Sequence, residues 1–164
     1  MAYTDFEFYK NTYLGNVVPE SEFNRIEARA SDYIDMFTFE RLANGLPMNE
    51  RSQTKVKKAV CAVCDVLYQI DLAQRNAIAA AKKAQNEGNS CEHSTGIITA
   101  KSSGSESISY ASLSEVANSA KTWSAVYQAA GDEHATNKLL YDTAKVYLTG
   151  VRDDEGTPLL YAGL

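Results

Sequence analysis

Three prolines, nine glycines, three cysteines, two histidines and one tryptophan are spread over 164 residues. Each scarcity closes off something. So few prolines and glycines leave room for long uninterrupted helices. An odd, small number of cysteines does not build the disulfide framework of a small secreted scaffold, and a reducing compartment is the simpler setting. Two histidines restrict acid–base and metal chemistry to a handful of arrangements. No apolar run approaches the length needed to span a bilayer. The first ten residues lack the basic start and apolar stretch of a signal peptide. No G-x-S-x-G and no G-x-x-x-x-G-K-[ST] occurs. There is also no dense basic run, and the formal net charge is −5. Tight nucleic-acid binding works by neutralising phosphates with Lys and Arg, so an acidic chain is poorly suited to it.

What is present is apolar patterning at helical period. Hydrophobic residues make up 45% and charged residues 23%, the balance of an ordinary globular protein. At this length a core can form without metal or disulfide support. Thr4 with Glu7 three residues on reads as a capping box opening a short helix from Asp5 to about Tyr13. Phe6, Tyr9 and Tyr13 form its inner stripe, and Gly15 stops it. Pro19 opens a second helix from Glu20 to about Phe37, with Phe23, Ile26, Ala30, Tyr33, Ile34 and Phe37 facing inward. A short turn over Thr38 to Leu42 leads to a loop at Gly45 and Pro47. Asn49 caps the longest helix, which runs to about Asn86 on a stripe of Val56, Val60, Val63, Leu67 and Ile70. Its end, Ala77 to Ala84, is rich in Ala and Lys.

From Gly88 to Gly104 the composition turns to Ser, Thr, Gly and Asn. Gly96-Ile97-Ile98-Thr99 and Ser107-Ile108-Ser109-Tyr110 are expected to pair as a hairpin. Ser112 and Glu115 signal a further helix to about Ala130, broken at Gly131. A last helix from roughly His134 to Leu148 carries Leu140, Ala144, Tyr147 and Leu148, and Gly150 ends it. The expected architecture is mainly α: a compact helical bundle with one long helix, a small β-hairpin insert and an extended C-terminal tail. It is read as a single domain over 1–164, with its helical core at 4–87 and 111–150, the insert at 88–110 and the tail at 151–164.

Few residues gather into a chemical constellation. Cys61, Cys64, Cys91 and His93 match the ligand count of a zinc site. Cys61 and Cys64, however, fall inside the long helix on its apolar stripe, where free cysteine commonly serves as a small core residue. A redox C-x-x-C would sit at a helix N-terminus instead. His134, in Asp132-Glu133-His134, reads as a solvated first turn. Asp153-Asp154 reads as a solvated turn rather than a glycosidase pair. Lys55, Lys57 and Lys58 read as a solvated helix face. No catalytic residue, cofactor or metal site is assigned, and the chain is not expected to be an enzyme. The apolar end Leu159-Leu160-Tyr161 either packs on its own domain or anchors to another subunit.

Several segments carry a resemblance. Met1-Ala2-Tyr3, Tyr9-Lys10-Asn11-Thr12-Tyr13-Leu14-Gly15 and Arg29-Ala30-Ser31-Asp32-Tyr33-Ile34-Asp35 leading into Thr38-Phe39-Glu40-Arg41 come first. Val56-Lys57-Lys58-Ala59-Val60-Cys61, the Ser/Gly-rich insert ending in Ser107-Ile108-Ser109-Tyr110, and Ala144-x-x-Tyr147-Leu148-x-Gly150 followed by Leu159-Leu160-Tyr161 complete the series. In this order they resemble head–tail connector (adaptor, head-completion) proteins of tailed bacteriophages, of the kind found in phages and prophages of Gram-positive bacteria. Each motif is weak alone, whereas their order covers nearly the whole chain. The run 77–84 and Gly131-Asp132-Glu133-His134 fall outside the matched motifs.

The resemblance implies a structural virion protein at the head–tail interface, made in the host cytoplasm. It implies a homo-oligomeric, dodecameric ring under the portal protein, with a neck stopper or tail-completion protein below. DNA would pass through without sequence-specific binding, and no membrane is involved. Leu159, Leu160 and Tyr161 would reach the portal. Ile97, Ile98, Ile108 and Tyr110 of the insert would line the channel or meet a neighbour. A closed ring requires one face of each copy to complement a different face of the next. Two alternatives stand beside it: another ring-forming phage protein that binds DNA, of the small-terminase kind, or a small zinc or redox protein using Cys61, Cys64, Cys91 and His93.

Overall fold

The computed structural model describes residues 2–86, 97–102, 107–111 and 124–161. The protein is mainly α-helical. Its elements in chain order are α1 (Phe6–Asn11), α2 (Glu20–Phe37), α3 (Glu50–Asn86), β1 (Ile97–Ser102), β2 (Ser107–Ala111), α4 (Ala125–Ala129) and α5 (Glu133–Leu148).

The inner faces follow the apolar periodicity. Phe23, Ile26, Ala30 and Ile34 of α2, Val56, Val60 and Val63 of α3, and Leu140 and Ala144 of α5 are fully removed from solvent. They join Tyr9, Leu42, Leu148, Val151 and Leu159 in one apolar cluster. α3 is the spine, with α2 and α5 packed against it. Asn49 caps α3 by accepting the Ser52 N–H at 3.1 Å. Asp132 caps α5 by accepting the His134 N–H at 2.9 Å, just after the chain turns at Gly131.

Two local expectations at α1 need correction. The cap is Asp5, not Thr4: the Asp5 carboxylate accepts the Phe8 N–H at 2.7 Å. Thr4 lies too early because its own N–H points away from the helix, toward the buried Glu27 carboxylate at 3.3 Å. The helix stops at Asn11, and the left-handed residue after it is the exposed Leu14, at φ 63°, rather than Gly15. Gly15 is needed for a different reason. Its N–H donates to the Tyr9 carbonyl at 2.9 Å, and a Cβ there would overlap the Tyr9 ring. That ring is fully buried and cannot swing aside. Gly15→Ala is therefore expected to cost about 1–3 kcal/mol as an overpacking change, read by urea denaturation. A stability within error of wild type would mean the ring can move.

β1 and β2 pair antiparallel, with Ile98 opposite Tyr110, Lys101 opposite Ile108 and Ile97 opposite Ala111. The register shifts between Ile98 and Ala100. The expected helix start at Ser112, with Val116, Ala120 and Trp123, lies outside the described residues, as do Cys91 and His93. Among the described residues no helix is long and apolar enough to cross a membrane.

The tail is not extended over its described length. Asp153 and Thr157 close a tight turn: Asp153 N–H donates to the Thr157 carbonyl at 2.9 Å, and Thr157 N–H returns to Asp153 Oδ1 at 2.7 Å. The Leu159 N–H then reaches the Val151 carbonyl at 3.0 Å. Apolar burial decides the outcome. Val151 and Leu159 sit two to eight residues beyond α5, close enough to fold back, and both end in the core.

Candidate functional site

The chemically unusual groups of this chain gather around the N-terminal segment, where three tyrosines meet two buried carboxylates. Tyr9 on α1 donates its hydroxyl to Asp65 Oδ1 at 2.6 Å. The same oxygen accepts the Val17 and Val18 N–H groups, each at 3.0 Å. Tyr13 donates to Asp65 Oδ2 at 3.1 Å, so the carboxylate receives a phenol on each oxygen. The rings of Tyr9 and Tyr13 lie against each other at 5.7 Å, and Tyr9 also meets Phe23 at 5.1 Å. Nearby, Glu27 Oε1 accepts the Tyr3 N–H at 2.8 Å and the Ser31 hydroxyl at 2.7 Å, besides the Thr4 N–H. The Tyr3 hydroxyl donates to Asp35 Oδ1 at 2.5 Å and to the Leu42 carbonyl at 3.1 Å.

These groups answer to one another and to backbone donors. Burial raises the Asp65 carboxyl above the usual range, and the two phenols pull it back only in part. Burial and the Asp65 hydrogen bond push Tyr9 up to about 12. Tyr3 and Tyr13 are raised further, again mainly by burial. A phenol whose folded pKa lies above its unfolded value of 10 adds stability that is complete below pH 10. That stability is lost as pH rises through the folded pKa. In an alkaline titration, these three of the ten tyrosines are thus expected to ionise only as the fold is lost, followed by tyrosinate absorbance together with circular dichroism. A smooth titration of all ten before any loss of helix would contradict the network.

The cysteines of the zinc and redox reading are core groups. Cys61 and Cys64 are free and fully buried. Burial pushes the Cys61 thiol up to about 12 and Cys64 higher still, so neither offers a thiolate near neutrality. No cluster of three or more candidate metal ligands occurs among the described residues. Lys57 of the lysine cluster lies over the Phe8 ring at 5.4 Å and covers apolar surface.

The expected tail site is divided by the fold. Leu159 is fully buried, Leu160 is packed against the core, and Tyr161 is 46% exposed. Arg41 holds this end. Its Nη1 donates to the carbonyls of Pro158 at 3.0 Å and Tyr161 at 2.5 Å, and its Nε stands 3.9 Å from Asp153. The same guanidinium lies over the Phe39 ring at 5.8 Å. Phe39 and Glu40 are two consecutive residues in the left-handed region, at φ 55° and 57°. Of the two fates open to the tail, Val151 to Leu159 pack on their own core. The hairpin residues Ile97, Ile98, Ile108 and Tyr110 share one two-stranded ladder.

Two open grooves complete the surface. One, of about 370 Å³, runs between α2, α3 and the α4–α5 junction and is lined by Arg29, Tyr33, Leu67, Ile70 and Asp71 among others. Beside it Arg25 and Arg75 pair with Asp71 at 2.7 and 2.8 Å and with Glu22. The second, of about 460 Å³, lies between 40–47 and 153–157 and carries Glu40, Arg41, Asp153, Asp154 and Glu155.

The buried Glu27 was legible only in retrospect. Phe23, Glu27, Ala30, Ser31 and Ile34 lie on one face of α2, so a carboxylate at 27 had to be buried with its partners. Comparison with protein-family models, curated proteins and solved structures yields no match to this chain.

Proposed function

We propose that this chain is a structural virion protein, a subunit of an oligomeric ring that docks under a phage portal. The ring extends the DNA channel and joins the head to the neck or tail. The observation that carries this reading is the ordered series of connector-like motifs along nearly the whole chain. Its support from the fold is that the matched residues sit where the architecture depends on them. Tyr9, Tyr13 and Gly15 form the α1 closure, and Arg41 clasps the tail. Leu148 and Leu159 are buried, and Gly150 takes the left-handed turn at φ 76° that ends α5. A chance likeness of composition would scatter matches over surface positions as readily.

A platform protein needs stiff elements and faces for neighbours, not a reactive centre. The perturbed groups here are bound into the fold, which suits that role. The exposed tip of the tail is the part placed to meet the portal. Tyr161→Ala leaves Leu159 in the core and is expected to weaken binding of the purified chain to its portal about tenfold or more, by biolayer interferometry, with an unchanged melting temperature. Unchanged portal affinity would take the tail tip out of this reading.

A further inference from the structure

Phe39 is a large aromatic, 53% exposed, in a backbone conformation that costs a non-glycine residue free energy. Its neighbour Glu40 shares that conformation. The pair is held in place from both sides. Thr38 before it is fully buried and donates its hydroxyl to the Ile34 carbonyl at 2.8 Å. The Glu40 N–H donates to the Asp35 carbonyl at 2.9 Å, and Arg41 after it is tied to the tail carbonyls. Met36, one turn earlier on α2, is 51% exposed. A rigid aromatic knob flanked by Met and a carboxylate has the composition of an interface anchor. Strain that burial does not reward is retained where it serves function.

The chain also carries a surface that fits this knob. The groove between α2, α3 and the α4–α5 junction has Tyr33, Leu67 and Ile70 in its lining and Arg29 among its walls. Arg25 and Arg75 are taken up by Glu22 and Asp71. Arg29 is exposed, without a carboxylate hydrogen-bonded to it among these pairs. At about 370 Å³ the groove is near the lower end of ligand clefts, roughly 300–1,000 Å³, and holds one aromatic side chain with its neighbour. Knob and groove lie ten residues apart on and just beyond α2, about 15 Å at the helical rise, so they are different faces of one subunit.

We infer that Phe39 of one copy seats in the α2–α3–α5 groove of the next, with Glu40 paired to Arg29, forming the repeating contact of a head-to-tail assembly. The occupant is a second copy of this chain, argued from the match of an acidic aromatic knob to an arginine-walled apolar groove. A contact between unlike faces closes into a ring when its rotation permits. The inference rests on the ring reading above and names the faces that build it.

The test is the mass distribution of the full chain by native mass spectrometry and mass photometry, alone and with its cognate portal protein. Wild type is expected to assemble. Phe39→Gly, which relieves the left-handed strain, is expected to keep a melting temperature at or above wild type yet associate roughly thirtyfold more weakly. Glu40→Arg and Arg29→Glu should each weaken association, and the double exchange should recover much of it. If wild type assembles and Phe39→Gly assembles equally well, the knob assignment is overturned while the ring stands. If both single reversals weaken assembly and the double does not recover, Glu40 does not pair with Arg29. Wild type monomeric in both settings would remove the ring reading and this contact with it.

Discussion

Replacing Tyr9 by alanine is expected to leave the chain largely unfolded at room temperature. Tyr9 is fully buried, stacked with Tyr13 and Phe6 and tilted against Phe23. Truncating a buried aromatic to alanine costs about 3–5 kcal/mol. Its hydroxyl does three further jobs, donating to Asp65 and accepting from Val17 and Val18. Buried donors left without an acceptor add about 1–3 kcal/mol each. The sum approaches or exceeds the roughly 5–15 kcal/mol of net stability a domain has. Tyr9→Phe keeps the ring and loses only the hydroxyl, so it should fold with a lowered urea midpoint. Circular dichroism against urea separates the three proteins. A Tyr9→Ala variant as stable as Tyr9→Phe would mean that neither the cavity nor the packing of α1 matters.

The second large effect is at Glu27. All of its hydrogen bonds enter one oxygen, from Tyr3, Thr4 and Ser31. Glu27→Ala orphans three donors around a buried position, and a loss of about 3 kcal/mol or more is expected. Glu27→Gln retains an oxygen able to take the same place, and exchanges charge-assisted bonds for neutral ones, a loss of about 1 kcal/mol. The ordering Ala well below Gln, in the midpoint of chemical denaturation, is the discriminating result. Equal losses would show that the negative charge, and not the acceptor, secures the N-terminal segment.

Much of the helical frame could be read from the sequence, because burial follows the 3.6-residue period without exception along α2 and α3. Phe23 to Phe37 and Val56 to Ile70 lie where the apolar stripe places them, and Asn49 caps where its side chain suggests. What could not be read depends on contacts far apart in sequence. Thr4 and Asp5 are both acceptable caps, and the choice falls to Asp5 because Glu27, more than twenty residues on, claims the N–H groups of Tyr3 and Thr4. Gly15 looks like a helix stop, yet it is glycine because the Tyr9 ring passes over it, and the left-handed turn falls on Leu14. The tail looked extended because Asp153-Asp154-Glu155-Gly156 separates two apolar stretches. The fold reads the same residues as a turn that returns Leu159 to the core. Phe39 carries no sequence signal for a positive φ, which tertiary anchoring by Thr38 and Arg41 imposes.

The functional reading shares this division. The motif order is legible in the sequence, whereas the knob at Phe39 and the groove at Arg29 are visible only when α2, α3 and α5 are assembled. The most direct measurement of the central claim is electron microscopy of the purified full chain, alone and mixed with the portal protein of the same phage. The account predicts a closed ring stacked coaxially on the portal, with neighbouring copies joined head to tail. A monomer in both preparations, bound to no portal, would contradict it.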